Sequence, residues 1–165
     1  TNELTSSNAP LRGGKGELWE GGIRVPFVAS WKGTLPAGRV VNVPVTSMDA
    51  PATALEIAGA TNANASSASA KSAPPLDGAS LMPLLAGRSE RAPHETLFWR
   101  VGKKNALRHG DWKLVRDGGG DWSLFHLASD IGEKTNLAGR EPERVRELNA
   151  LWDRWNTEQA EPLWR

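Results

Sequence analysis

Apolar residues in the first part of the chain form short continuous runs rather than an alternating pattern. Residues 23–31 are mostly apolar and contain no regular polar positions. This pattern is typical of a strand that is buried on both faces of a parallel sheet. Residues 40–45 contain four valines and predict a second, shorter extended piece, which Pro44 interrupts. The pattern therefore predicts a parallel α/β arrangement for this part of the chain.

Helix signals follow at residue 49. Asp49 (or Ser47) precedes Pro51, and proline is favoured in the first turn of a helix after a capping residue. A helix is therefore predicted from this point to Gly59. Residues 61–75 are rich in alanine, serine and asparagine, which predicts a surface loop.

From residue 95 onward, short segments separated by turn residues replace the continuous runs. Such segments predict antiparallel strands joined by tight connections. The predicted strands are residues 95–101, 105–108, 112–116 and 122–127. Beyond Pro142 the apolar residues recur at helical spacing, which predicts an amphipathic helix lying across the sheet. Its apolar stripe consists of Val145, Leu148, Leu151, Trp152 and Trp155.

Composition narrows the range of functions. The 165 residues suffice for one domain or two small units sharing a core, and the net charge of +1 gives no reason to expect nucleic acid as a partner. No apolar run approaches the roughly 18 to 20 residues that span a bilayer. The absence of cysteine excludes disulfides, thiolate zinc sites and cysteine nucleophiles from this sequence. Because Thr1 is not preceded by a methionine, we expect the sequence to be cut from a longer protein.

The candidate chemistry lies in residues 11–22, where glycines surround Lys15. Glycine is used where the backbone takes a positive φ or approaches another group closely. Such a loop is suited to bringing Lys15 and backbone N–H groups near an anion. The spacing matches neither the P-loop nor the dinucleotide-binding fingerprint. On composition alone, a solvated turn before a buried strand remains the alternative.

Residues 8–27 read NAPLRGGKGELWEGGIRVPF, which resembles the lysine-bearing segment of the type I, formylglycine-dependent arylsulfatases in the alkaline-phosphatase superfamily. The resemblance implies that Lys15 is catalytic and contacts the sulfate, where a fixed cation stabilises developing negative charge. Glu20 and the glycines after it match as well, and are expected to shape the loop. Residues 76–87 (LDGASLMPLLAG) and 129–138 (SDIGEKTNLA) resemble further segments of that family.

The resemblance also implies a fold. Residues 1–93 are expected to be the C-terminal portion of the sulfatase α/β catalytic domain, which is an α/β fragment at the end of the main sheet. Within them, residues 76–87 are expected to contain a short helix. Residues 94–165 are expected to form an α+β C-terminal subdomain, in which a four-stranded antiparallel sheet is packed by a long C-terminal helix.

The family's nucleophile and metal are not expected in this sequence. The formylglycine arises within a Cys/Ser-x-Pro-x-Arg motif that is absent here, and the calcium ligands are expected upstream of Thr1. No metal ligand is therefore expected in the chain, and the isolated chain is predicted to be inactive. Trp99 and Arg100 are expected either to contact the alcohol part of the substrate or to be ordinary strand residues.

Three functions follow as hypotheses. The first is part of a sulfatase that hydrolyses sulfate esters of small molecules or carbohydrates. The second is a phosphonate or phosphodiester hydrolase of the same superfamily, and the third is a non-catalytic module that binds carbohydrate or protein. The expected partners are the sulfated substrate, the missing N-terminal part of the same protein and a second copy at an exposed sheet edge, but no nucleic acid or membrane. The family implies a periplasmic, secreted or lysosomal location.

Overall fold

The computed structural model describes residues 7–60 and 76–161. These ranges contain four helices and one sheet. The helices are α1 (Glu20–Ile23), α2 (Asp49–Ile57), α3 (Met82–Leu85) and α4 (Pro142–Thr157). The strands are β1 (Thr96–Val101), β2 (Lys104–His109), β3 (Trp112–Arg116) and β4 (Ser123–His126).

The four strands form one antiparallel sheet in the order β1-β2-β3-β4. Leu107 in β2 lies opposite Leu114 in β3, which in turn lies opposite Leu124 in β4. The turns after β1 and β2 begin with Gly102 and Gly110, whose φ angles of +56° and +58° are those that tight hairpin turns require. The predicted four-stranded sheet with its C-terminal helix is confirmed, and every strand lies within two residues of its predicted bounds.

Helix α4 covers one face of the sheet. Its buried residues Leu148 and Trp152 pack on the leucines of β2, β3 and β4. At the edge of this cluster the Phe98 ring stacks on Trp155, with the ring centroids 4.9 Å apart. The apolar stripe predicted for the helix is therefore the face that it buries.

The opposite face of the same sheet is covered by residues from the beginning of the chain. Leu18 and Trp19 join a buried cluster with side chains of β2, β3 and β4, among them Phe125. The rings of Trp19 and Phe125 meet edge to face, 5.7 Å apart. Consequently both faces of the sheet contribute to a core, one with α4 and one with the lysine-bearing segment.

The chain divides into two compact units. One combines Thr1–Pro26 with Thr96–Arg165, and the other is Phe27–Glu95. The segment before Phe27 packs with the C-terminal sheet because Leu18 and Trp19 bury their side chains there. Whether residues 1–93 and 94–165 are domains of a longer protein stays a prediction.

The unit Phe27–Glu95 is organised around Asp49 at the start of α2. This buried carboxylate accepts hydrogen bonds from the backbone N–H groups of Thr46 and Ala79, both at 2.8 Å. It also lies 2.6 Å from Nε2 of His94. Helix α2 begins where the sequence predicted it and ends two residues before Gly59. The short helix predicted within residues 76–87 is α3.

The strand predicted at residues 23–31 is wrong. Helix α1 occupies its first residue, and Val25, Phe27 and Val28 are 75%, 56% and 88% exposed. A strand needs a neighbour that accepts and donates its backbone hydrogen bonds, and in the described ranges the sheet contains only β1–β4. Residues 40–45 likewise form no strand. The loop predicted at residues 61–75 lies outside the described residues.

Candidate functional site

The lysine loop, defined as residues 8–22, presents Lys15 on the protein surface. The Lys15 side chain is exposed, and within the described ranges its ammonium has no hydrogen bond or ion pair. Gly13 and Gly16 stand on either side with φ angles of +76° and +87°. These angles are strained for other residues, so the backbone turns on both sides of Lys15 require glycine.

The lysine loop folds back on itself, so that carbonyl groups from its earlier residues pack against α1, in which the loop ends. A Cβ on Gly21 would lie 2.5 Å from the carbonyl oxygens of both Arg12 and Gly13. A Cβ on Gly22 would lie 2.1 Å from the carbonyl oxygen of Glu17. The N–H of Gly21 donates to the Arg12 carbonyl at 2.7 Å, which holds this contact closed. The two glycines after Glu20 are therefore dictated by the close approach of backbone to backbone.

Replacing Gly22 with alanine is expected to lower the free energy of unfolding by about 1–3 kcal/mol, since the new methyl group must displace backbone atoms. Gly139→Ala is the matched control, because a Cβ at Gly139 would meet nothing within 4 Å. Urea denaturation followed by tryptophan fluorescence measures both variants. Equal effects at the two positions would show that the loop is not packed as described.

A buried charge cluster lies beneath the loop and consists of Glu20, Lys113 and Glu133. The ammonium of Lys113, the second residue of β3, is 2.8 Å from Oε1 of Glu20 and 2.8 Å from Oε1 of Glu133. The side-chain exposures of Glu20, Lys113 and Glu133 are 4%, 0% and 0%. The backbone N–H of Glu20 donates to Oε2 of Glu133 at 2.7 Å. The cluster thus joins the lysine loop to the sheet and to the segment after β4.

Glu133 occupies a special backbone position. It has a φ of +51°, which is uncommon for a residue other than glycine. Its turn is shaped by Asp130, whose carboxylate accepts hydrogen bonds from the backbone N–H groups of Thr135 and Lys134, and these hold the pKa of Asp130 below its usual value. Burial raises the pKa of Glu133, although the nearby Lys113 ammonium opposes this effect.

Further hydrogen bonds hold the loop from outside the cluster. The Arg12 guanidinium lies 3.6 Å above the Trp19 ring and donates to the Glu133 carbonyl at 3.0 Å. The Lys104 ammonium donates to the Gly16 carbonyl at 3.1 Å. The backbone around Lys15 is therefore held by contacts with other parts of the chain.

The other two predicted site residues lie on opposite faces of β1. Trp99 is half-buried and packs against the cluster that contains Leu18 and Trp19, on the same face as the lysine loop. Arg100 lies on the α4 face, where its guanidinium donates to Oδ1 of Asn156 at 2.5 Å and to the Ala160 carbonyl. The structure brings Trp99 and the lysine loop together but engages Arg100 elsewhere. A substrate role for either stays a prediction.

Lys113 and Glu133 were not identified as site residues from the sequence. A signal for Lys113 exists, because alternation along β3 places it on the same face as the buried Val115. A lysine on a buried face needs partners. Nothing in the sequence indicates that Glu20 and Glu133, distant along the chain, are those partners.

Two further observations concern ligands. In the described ranges, no group of three or more histidine, cysteine, aspartate or glutamate side chains is arranged to hold a metal ion. None of the described helices is both long and apolar enough to cross a membrane.

Comparison with known sequences finds similarity to one family. The Sulfatase family model matches residues 2–60. Human arylsulfatase D is 36% identical over 126 residues, which cover 76% of this chain and 19% of that protein. Mouse steryl-sulfatase is 44% identical over 95 residues, which cover 58% of this chain and 14% of that protein. The chain thus spans less than a fifth of the length of either relative.

Two solved structures are similar to this chain over most of its length. The crystal structure of Ps i-CgsB in complex with k-i-k-neocarrahexaose superposes with a TM-score of 0.77 at 27% identity, covering 96% of this chain and 34% of that one. The structure of the PsFucS1 sulfatase from Pseudoalteromonas sp. has a TM-score of 0.65 at 24% identity and covers 87% of this chain and 32% of that one. The second likeness concerns the fold alone.

Proposed function

The chain belongs to the sulfatase family, and on that premise we propose that it is part of an enzyme that hydrolyses sulfate esters, with Lys15 contacting the sulfate group. The single observation that carries this proposal is the state of Lys15. Its exposed ammonium has no partner in the described ranges, yet the backbone around it is held on both sides. An ammonium without an internal partner, carried on a held backbone, is available to an anionic ligand without first breaking another interaction.

The proposed role of Lys15 is electrostatic. Cleavage of a sulfate ester builds negative charge on the sulfuryl oxygens and on the leaving-group oxygen. An ammonium held at that point by a fixed backbone stabilises the charge with little reorganisation. Trp99, which lies on the same face of the sheet as the loop, is proposed to contact the alcohol part of the substrate. The proposed substrates are sulfated small molecules or carbohydrates.

The remaining chemistry is proposed to come from residues outside this sequence. The chain has no cysteine, and the described ranges contain no group of three or more histidine, cysteine, aspartate or glutamate side chains arranged to hold a metal ion. We therefore propose that a formylglycine nucleophile and the calcium ligands belong to a longer protein, of which this chain is one part. The chain alone is expected to have no turnover. A periplasmic, secreted or lysosomal location is proposed for the longer protein.

The proposal is tested by removing the Lys15 ammonium in the longer protein that contains this chain. Lys15→Ala is expected to lower kcat/KM for 4-nitrophenyl sulfate by about 100- to 1000-fold, as for the loss of one group that stabilises transition-state charge. Lys103→Ala is the control, since this exposed lysine lies in the turn between β1 and β2. The assay follows the release of 4-nitrophenol.

Two results would overturn the proposal. One is a Lys15→Ala enzyme that retains wild-type kcat/KM. The other is a wild-type protein that hydrolyses 4-nitrophenyl phosphate far faster than the sulfate, which would favour a phosphate-ester hydrolase. Turnover by the purified 165-residue chain would contradict the expectation that it is inactive by itself.

A further inference from the structure

We propose that Glu133 is the positioning residue for Lys15, because it fixes the loop backbone on both sides of that lysine; this inference rests on the proposed function. Glu133 is fully buried and lies far from Lys15 along the chain. Glu133 acts on Lys15 through residues that lie before and after that lysine in the loop. Glu133 itself does not contact the substrate.

The contacts that Glu133 makes on either side of Lys15 support the inference. Arg12, on the N-terminal side of Lys15, donates to the backbone carbonyl of Glu133 at 3.0 Å. Glu20, on the C-terminal side, donates its backbone N–H to the carboxylate of the same residue at 2.7 Å. Glu133 therefore contacts the lysine loop on both sides of Lys15. The Lys113 ammonium lies 2.8 Å from the Glu133 carboxylate and so ties Glu133 to strand β3.

Stability alone does not account for this arrangement. Burying charges carries a desolvation cost, and an apolar group of similar volume often stabilises a fold as well or better. An apolar side chain at position 133 would fill the space but could not accept the Glu20 N–H. The carboxylate provides a directional bond at one end of the lysine loop. Directional bonds are what a fixed ammonium position requires, since a shift of about 1 Å at a reacting group can cost 100-fold in rate.

The surrounding charges allow a mild test of this residue. Lys113 also pairs with Glu20 at 2.8 Å, and Arg24 and Arg108 each lie 4.0 Å from the second oxygen of Glu20. Glu133→Gln therefore leaves Lys113 with a carboxylate partner and keeps the side-chain shape. The carboxylate uses one oxygen toward the Lys113 ammonium and the other toward the Glu20 N–H, whereas an amide has a single acceptor oxygen. The variant therefore loosens the loop, while the Glu20 carboxylate stays beside Lys113 as its counter-charge.

The experiment is a double-mutant cycle in the longer protein that contains this chain, using Lys15→Ala, Glu133→Gln and both changes together. Glu133→Gln alone is expected to lower kcat/KM for 4-nitrophenyl sulfate by roughly 10- to 100-fold. In the Lys15→Ala background the same change is expected to cost less than about threefold, because its effect passes through an ammonium that is no longer present. Glu133→Asp, which keeps the carboxylate, is expected to recover part of the loss.

The outcomes separate this inference from the proposed function. Suppose that Lys15→Ala lowers kcat/KM strongly and that Glu133→Gln lowers it by the same factor with and without Lys15. Glu133 then has a general structural role, and the positioning inference fails while the proposed function stands. If Lys15→Ala has no effect, both fail together. A wild-type rate for Glu133→Gln also overturns the inference.

A second variant covers the case in which Glu133→Gln does not fold. Arg12→Met removes the hydrogen bond to the Glu133 carbonyl from an exposed side chain, so the core is left intact. The same non-additive result with Lys15→Ala is expected. Hydrogen exchange at the Gly21 N–H, which donates to the Arg12 carbonyl, is expected to become faster, and unchanged exchange together with an additive cycle would overturn the inference.

Discussion

Replacing Lys113 with methionine is expected to lower the free energy of unfolding by about 3–5 kcal/mol, the cost of leaving buried charges without their partner. Lys113 is fully buried and lies 2.8 Å from carboxylate oxygens of both Glu20 and Glu133. Without it, two buried carboxylates face each other with no cation between them. Arg24 and Arg108, at 4.0 Å from Glu20, are too far to replace it. Urea denaturation followed by tryptophan fluorescence measures the loss.

Two controls separate this charge effect from loss of packing. Lys103→Met removes an exposed lysine from the turn between β1 and β2 and is expected to change stability by less than about 0.5 kcal/mol. The triple variant Glu20→Gln, Lys113→Met and Glu133→Gln carries no buried charge and is expected to recover much of the lost stability. A Lys113→Met protein as stable as the wild type would show that the cluster is not buried as described.

Truncation of Trp152 to alanine is expected to cost about 3–5 kcal/mol, the range for large aromatic side chains in a core. Trp152 is 5% exposed and is the centre of the contact between α4 and the sheet. Its ring meets Trp122 at 5.8 Å and Trp155 at 6.1 Å, and the Arg116 guanidinium lies 5.4 Å from it. Removing the indole abolishes all of these contacts and leaves a cavity in the core. A shift in the urea midpoint measures the loss.

The matched control for this truncation is Trp31→Ala. Trp31 is 43% exposed and lies in the other compact unit, outside both sheet clusters. Its removal is expected to cost less than about 1 kcal/mol, because little apolar area returns to water. If the two truncations cost the same, α4 does not form the core that its contacts indicate.

The sheet and helix of the C-terminal half could be predicted from the sequence because their signals lie within short stretches of the chain. Each strand is bounded by its own turn residues, and the stripe on α4 shows helical spacing from Val145 to Trp155. The prediction for residues 23–31 was wrong because an apolar run indicates burial but does not indicate which strand or helix covers it. Phe27 and Val28, for example, stay exposed in the described structure.

Part of the candidate site could likewise be predicted from the sequence, and part could not. Lys15 could be found from its glycine-rich surroundings and from the resemblance to arylsulfatases. The need for glycine at positions 21 and 22 follows from carbonyl groups that only the folded loop brings close. The roles of Lys113 and Glu133 depend on side chains far apart in sequence meeting beneath that loop. Non-local pairing of this kind leaves no periodic signal in a single sequence.

The most direct test of the central claim is a crystal structure of the longer protein with inorganic sulfate bound. The account predicts the Lys15 ammonium within about 3 Å of a sulfate oxygen, the distance of a charge-assisted hydrogen bond, with Arg12 and Glu20 still joined to Glu133. A sulfate held in the active site by other groups, with Lys15 directed into solvent, would contradict it.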